Sequence, residues 1–440
     1  MENSNSYTKE IKNATWIIAC RVIQFGLNIV VSLLSARYLG PERYGLTTYA
    51  ASIASFFIPV TLMGLSDTLV RELSDSPSKE GEILGTSLVI NALSSVISIA
   101  GMILTVFLLN RDDSLTVLFC GLYSISLLFQ NYEIIGCWFQ SKLMSRYASV
   151  SSLIAFAVSA AYRIYILSAR KGILWFSATT VIDFGLISML LFLFYRTSNG
   201  PKLSFSFETG KKLLQRSKYY IFTNIIVASF SSVDKILLKQ MVGTDANGLY
   251  SAAFSVATAT SFVYSAIIES LRPSIVSLAK TNIRSCENRT KTLFSLIIWI
   301  SVIQNVIFSL FGGTFVRLML GEEYLDAIPV FRVLTWFTTF SYMGSVRNVW
   351  ILANDRHKNL WKINTLGAIA GLILNRLLIG SYGMTGAAIT AIVTQLFTNF
   401  ITGYLFEEIR PVNRLILDSL NPRYVWNFVS SVLREIFGKE

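Results

Sequence analysis

The sequence predicts an all-α integral membrane protein with twelve transmembrane helices, arranged as two six-helix lobes related by a pseudo-two-fold axis along the membrane normal. Three observations predict it. Hydrophobic residues make up 53% of the chain and charged residues 15%, where about 25% charged is usual for a soluble domain. The apolar residues gather into runs long enough to cross a hydrocarbon core of about 30 Å. A glycine-bounded motif, Gly40-Pro41-Glu42-Arg43-Tyr44-Gly45-Leu46, returns 203 residues later as Gly243-Thr244-Asp245-Ala246-Asn247-Gly248-Leu249. Each copy follows a long apolar run and opens another rich in Ala, Ser and Thr. A hairpin between antiparallel helices needs residues free to adopt positive φ just beyond a helix end, which explains the glycines.

Residues 1–12 are polar, and the first apolar run covers 14–36. It carries Arg21 and exceeds the length of a signal-peptide core, so it is expected to be a retained span. Further runs lie near 46–66, 83–109, 115–139, 147–168 and 173–195. Residues 196–218 then form the most polar interior stretch, with Arg196, Lys202, Lys211, Lys212, Arg216 and Lys218. Six more runs follow near 219–240, 247–269, 291–313, 328–353, 359–380 and 385–409. The predicted division is an N-terminal lobe over 1–195, a cytoplasmic linker over 196–218, a C-terminal lobe over 219–410 and a cytoplasmic amphipathic tail over 411–440. Within the tail, Val425, Phe428, Val432 and Ile436 recur at helical spacing, which predicts a helix lying on the cytoplasmic face.

An even number of spans per half gives both halves the same orientation and puts both termini on one side. Of the 38 Lys and Arg residues, 25 fall on that side and 7 on the other, and 6 lie within spans. The positive-inside rule therefore predicts cytoplasmic termini. The net charge of +12 mostly encodes this topology and leaves little for a nucleic-acid partner to explain.

The four cysteines, Cys20, Cys120, Cys137 and Cys286, show neither CxxC nor metal-ligand spacing and are expected to be packing residues. The single histidine, His357, stands between Arg356 and Lys358, which argues against a histidine-based catalytic or metal centre.

The informative chemistry is inside the spans. Arg21, Gln24, Asn28, Ser32 and Ser35 occupy one stripe of the first helix, at spacings of 3 and 4. Shifted by the repeat, this stripe reappears in the seventh span as Asn224, Ser231 and Lys235. In the tenth span Arg332, Trp336, Thr339, Met343 and Arg347 share a face with a cation at each end. Arg163 and Arg376 add isolated charges in the fifth and eleventh spans. Acids are fewer: Asp67, Glu133, Asp183, Asp234 and Glu269. An arginine within a span costs at least about 2.5 kcal/mol on insertion scales, so these cations require partners, water or a ligand. Pairing, for example Arg163 with Asp183, accounts for some of them as structural links and leaves positive charge over. A cavity offering that charge to an anionic substrate explains the remainder, and the guanidinium fork suits a diphosphate. Tyr49, Tyr123, Tyr250, Tyr264 and Trp336 are read as packing or interface residues rather than sugar platforms.

Arg37-Tyr38-Leu39-Gly40-Pro41-Glu42-Arg43-Tyr44-Gly45-Leu46, together with the segment from Ser232 through Val242-Gly243 to Ala253, resembles the bacterial polysaccharide-exporter family, the O-antigen and repeat-unit flippases. The similarity extends over about residues 10–410. The resemblance implies membership of the superfamily that also holds the multidrug extruders and the lipid II flippase. It further implies transfer of undecaprenyl-diphosphate-linked oligosaccharide from the cytoplasmic to the periplasmic leaflet of the bacterial inner membrane by alternating access, with no catalytic residue and no cofactor. The expected substrate-binding residues are Arg21, Asn28, Arg163, Lys235, Arg332, Arg347 and Arg376. Asp183 and Asp234 are expected to couple transport to an ion. The expected partners are the lipid-linked oligosaccharide, the bilayer and other polysaccharide-assembly membrane proteins.

Three other classes compete, and one of them, a structural scaffold, would not need so many intramembrane cations. A cation-coupled multidrug antiporter would place an acid deep in its first helices, where this chain has Arg21. A membrane glycosyltransferase or polymerase would need catalytic groups on sizeable external loops. The longest such loop, near 313–328, holds only Arg317, Glu322, Glu323 and Asp326.

Overall fold

The computed structural model describes residues 2–356, 360–428 and 430, with side chains from residue 24 onward. Every regular element among the described residues is helical. The chain forms two compact units, Met1–Ile236 and Leu237–Glu440. Nine helical segments among the described residues are long and apolar enough to cross a membrane.

Unit 1 contains α1 (Glu2–Leu62), α2 (Ser66–Asp75), α3 (Glu80–Leu109), α4 (Ser114–Ser124), α5 (Asn131–Ser141), α6 (Arg146–Ser168), α7 (Leu174–Thr197) and most of α8 (Phe207–Met241). Helix α1 is interrupted at Gly40, where φ is 72° and ψ 168°. Glycine reaches this conformation without a Cβ clash, and Pro41 restarts the helix at a position where its missing N–H costs nothing. The second motif copy makes the same break: Gly243, with φ 133°, separates α8 from α9. The repeated sequence thus encodes a repeated backbone interruption.

Helix α1 packs against α3 and α6, and α6 runs along α7. Two apolar clusters hold these helices together, one around Leu65, Leu69, Ile135, Phe139 and Leu191, the other around Tyr49, Ala50, Phe119, Leu127 and Phe176. The run 115–139, expected as one continuous span, is a helix, a 3-10 segment over Ile125–Gln130 and a second helix. Asp113 caps α4 by accepting the Thr116 N–H at 3.0 Å. The polar stretch 196–218 lies along the start of α3, where the Ser204 N–H donates to the Gly81 carbonyl at 3.2 Å and the Ser206 N–H to Thr86 Oγ1 at 3.0 Å.

Unit 2 contains α9 (Thr244–Ala257), α10 (Ser261–Thr281), α11 (Ile283–Leu310), α12 (Gly312–Met319), α13 (Ile328–Ala353), α14 (Leu360–Leu396), α15 (Thr402–Leu405) and α16 (Arg410–Asp418). Helix α14 is interrupted at Gly383, with φ 56° and ψ −132°. It is followed by a π-helical turn over Phe397–Ile401. The core gathers around Tyr264, Leu293, Phe294, Trp350 and Ile363. Helix α16 buries Val412, Leu415 and Ile416 on this core, leaves Arg410 and Arg414 exposed, and is tied down by the Lys291–Asp418 ion pair at 2.7 Å. Residues 423–428 continue as helix, and the rest of the expected tail helix, residue 430 apart, lies outside the described residues, as does His357.

Candidate functional site

Unit 1 holds a cavity with a mixed polar and apolar wall, built by five helices, α1, the Ser66 end of α2, α5, α6 and α7. Helix α1 contributes Gln24 and Asn28, two members of its polar stripe. Helix α6 faces them with Ser149, Ser152 and Phe156, and the same face continues to Ser159 and Arg163 at spacings of 3 and 4. The 3-10 segment before α5 leads into Tyr132 and Glu133, and α7 closes the wall with Asp183, Phe184 and Ile187. The space has two adjoining parts of about 410 and 400 Å³, which share Gln24, Tyr132 and Ser152.

Within this wall the Ser159 hydroxyl donates to Asp183 Oδ1 at 3.4 Å, and Tyr132 Oη donates to Glu133 Oε1 at 3.4 Å. The rings of Tyr132 and Phe184 lie 5.4 Å apart, tilted by 31°. Arg163 is not isolated: its guanidinium interacts through charge with Asp183, while its buried Nε makes no hydrogen bond. Tyr44 and Tyr123 also lie near Arg163, and Tyr44 Oη shares a 3.0 Å hydrogen bond with Ser32 of the α1 stripe. Asp67, at the start of α2, accepts from Asn224 Nδ2 at 2.9 Å. Among the described residues no three His, Cys, Asp or Glu side chains cluster closely enough to hold a metal ion.

The other expected site residues are placed differently. Asn28 and Asp183 line the cavity together, and Arg163 joins them through Asp183. Arg21 lies on the α1 backbone three residues before Gln24, but its side chain is outside the described residues. Asp234 and Lys235 are half-buried on α8, where the Lys235 N–H donates to Asp234 Oδ1 at 2.9 Å. In unit 2, Arg332 and Arg376 are exposed on α13 and α14.

Arg347 departs from expectation. The α13 face that begins with exposed Arg332 and Trp336 turns inward along its length, so Thr339 and Met343 are buried and Arg347 is only 2% exposed. Its Nη1 donates to the Thr398 carbonyl in the π-helical turn, and its Nη2 to Asn348 Oδ1 at 3.2 Å. A π turn shifts the backbone out of α register, which leaves a carbonyl available to such a donor.

The tyrosines fit their packing role: Tyr49, Tyr250 and Tyr264 are fully buried. Cys120, Cys137 and Cys286 are buried and free of disulfides, and Cys20 falls among the residues whose side chains are not described. The contributions of Tyr132, Gln140 and the α6 serines to the cavity did not emerge from the sequence analysis. The signal for α6 was available, since Ser149, Ser152, Ser159 and Arg163 share a helical face, as the α1 residues do. Tyr132 had no such signal, because the 3-10 segment before it breaks the helical phase.

The model of a family described as "Polysaccharide biosynthesis protein" matches residues 11–279, more than half of the chain. A protein of Staphylococcus aureus named "Capsular polysaccharide biosynthesis protein CapF" is 22% identical over 419 residues, covering 90% of this chain and 99% of that protein. The "Putative O-antigen transporter" of Shigella flexneri is also 22% identical, over 90% of this chain and 98% of its own length. In fold, the chain is similar to an inward-facing multidrug resistance transporter of the MATE family, with a TM-score of 0.69 at 12% identity over 89% of this chain and 95% of that one. It is similar as well to the lipid II flippase MurJ in an inward closed conformation, with a TM-score of 0.67 at 14% identity over 96% of this chain and 99% of that one. The chain therefore belongs to the polysaccharide biosynthesis protein family, and it is a multi-pass membrane protein.

Proposed function

We propose that the chain is a flippase that moves undecaprenyl-diphosphate-linked oligosaccharide repeat units from the cytoplasmic to the periplasmic leaflet of a bacterial inner membrane by alternating access. The observation that carries this reading is the exposure of Arg376 within the long apolar segment Leu360–Leu405, with Arg332 also exposed near the start of α13. A cation at membrane depth is costly without an anionic counterpart, and a diphosphate supplies one that guanidinium groups bind bidentately. Arg21, Asn28, Arg163, Lys235, Arg332 and Arg376 form the substrate-binding set in this reading. Arg347, held within unit 2, is left out of it. Asp183 and Asp234 couple the step to an ion.

The reading includes twelve spans in two lobes, 1–195 and 219–410, joined by the linker 196–218 and followed by the tail 411–440. Two of the nine apolar segments support that count, because they run for 52 and 46 residues. At 1.5 Å per residue they are about 78 and 69 Å long, far more than the roughly 30 Å core requires. Each is broken at a positive-φ glycine, Gly40 or Gly383. The test is reconstitution in liposomes with fluorescent polyprenyl-diphosphate oligosaccharides, scored for transfer between leaflets. Protein-dependent transfer is expected. Transfer no faster than in protein-free liposomes would overturn the reading.

A further inference from the structure

We propose that the cavity of unit 1 is a sugar subsite that accepts a neutral or basic pyranose ring and refuses both acidic sugars and the diphosphate. The inference rests on the glycan-carrier reading above and deepens it by assigning the sugar a place of its own. Each part of the cavity, about 410 and 400 Å³, falls within the range of roughly 300–1,000 Å³ typical of small-molecule sites. A Cβ built on Gly136 would meet nothing within 4 Å, so this part of the wall borders open space rather than a packed neighbour.

The wall has the chemistry of a polyol site. The Gln24 and Asn28 amides and the Ser152 hydroxyl both donate and accept hydrogen bonds, while the Glu133 and Asp183 carboxylates only accept. A pyranose ring presents adjacent hydroxyl donors that match such acceptors. The tilted Tyr132–Phe184 pair adds an aromatic corner whose electron-rich faces suit the C–H side of the ring.

Other occupants fit worse. A diphosphate or uronate would meet the Glu133 carboxylate, whose described neighbours Tyr132 and Asp67 bring no positive charge, and be repelled, while Arg163 offsets Asp183. A polyprenyl tail would strip water from the amides and carboxylates without replacing its hydrogen bonds. Among the described residues there is no cluster suited to a metal ion.

The experiment uses the full chain in nanodiscs carrying Ser152→Cys. The background is Cys137→Ala, because Cys137 lines the same cavity. The rate of maleimide labelling is read with N-acetylglucosamine, glucuronate, potassium pyrophosphate or sodium chloride present. N-acetylglucosamine is expected to slow labelling several-fold and the other three to leave it unchanged. Gly136→Leu, which puts a side chain into that open space, is expected to remove the sugar effect, and Glu133→Gln to weaken it should the bulkier variant fail to fold. Protection by pyrophosphate, glucuronate or sodium equal to that by the sugar overturns the proposal. So does absence of protection by the sugar, or a Ser152→Cys variant that is never labelled. If leaflet transfer is observed and sugar protection is not, the subsite fails and the flippase reading stands. The reverse pattern leaves a sugar site on a protein that does not flip.

Discussion

Arg347 of α13 donates from Nη1 to the main-chain carbonyl of Thr398, so the most deeply buried described arginine of unit 2 is a fastener for the π-helical turn that follows α14. Asn399 reinforces the same contact by donating from Nδ2 to the Phe340 carbonyl at 2.9 Å and to Gln395 Oε1 at 2.7 Å. The close approach is possible because Gly344 has no side chain, since a Cβ there would come within 2.5 Å of the Asn399 amide. The Thr398 carbonyl also accepts from Thr402 Oγ1 at 2.6 Å, so removal of the guanidinium takes away one of its two side-chain donors and empties a buried space. Arg347→Ala is expected to destabilise the protein by about 1.5–3 kcal/mol, the contribution of a hydrogen bond to a charged group. Leaflet transfer normalised to folded protein should stay near the wild-type value. Thermal unfolding in detergent and the liposome assay check the two halves, and a stable variant with lost transfer would return Arg347 to the substrate site.

A second fastener ties α3 to α5. Glu80 is 5% exposed, accepts from Trp138 Nε1 at 3.1 Å and pairs with Lys142 Nζ at 2.5 Å. Lys142→Ala leaves the carboxylate with the indole as its described partner. The cost is set at about 1–3 kcal/mol, below that of breaking a fully buried pair, because the Lys142 side chain is 39% exposed and the vacated space is open to water. Lys142→Ala with Glu80→Gln should recover much of the loss, and denaturation of the single and double variants measures it.

Topology is tested by single cysteines with an impermeant reagent. Phe205 lies exposed in the polar stretch before α8, and Asp245 is exposed in the first turn of α9. The asymmetry of Lys and Arg predicts that Phe205→Cys is protected from outside reagent and that Asp245→Cys is labelled. The opposite pattern would invert the orientation.

How much of this was legible in the sequence depended on how local the cause was. The breaks at Gly40 and Gly243 are set by a glycine and its immediate neighbours, so the repeated motif revealed both. The α1 stripe followed from a period of 3 and 4 within one helix, and two of its members, Gln24 and Asn28, line the unit-1 cavity. The burial of Arg347 did not, because the direction in which a face points depends on the neighbours it meets. Here those neighbours are the π-helical turn more than fifty positions on and a glycine one turn away. The interruption at Ile125–Gln130 was hidden for another reason: its apolar composition is the same whether the backbone is α or 3-10.

Ion coupling separates the two acids expected to serve it. Asp183 faces the unit-1 cavity beside Arg163, while Asp234 accepts its neighbour's backbone N–H on α8. If either carries the coupling ion, Asp183→Asn or Asp234→Asn should abolish the dependence of transfer on a proton or sodium gradient; Asp234→Asn should leave substrate binding intact, whereas Asp183→Asn also removes an acceptor of the sugar subsite and is judged on gradient dependence alone. Full gradient dependence in both variants would rule out this assignment.

Arg21 carries the sharpest expectation for the diphosphate. It precedes Gln24 by three residues on the helical stripe that reaches the cavity wall, and the spans hold too few acids to neutralise every cation they contain. A charge-assisted hydrogen bond is worth about 1.5–3 kcal/mol, so Arg21→Ala should reduce transfer per folded molecule by roughly ten- to a hundredfold. Arg21→Lys keeps the charge and loses the planar fork, and should restore transfer only in part. An arginine that served structure alone would instead lower the yield of folded protein and leave transfer per molecule unchanged. Quantifying both in the same liposomes separates the outcomes, and normal transfer in Arg21→Ala would remove this residue from the site.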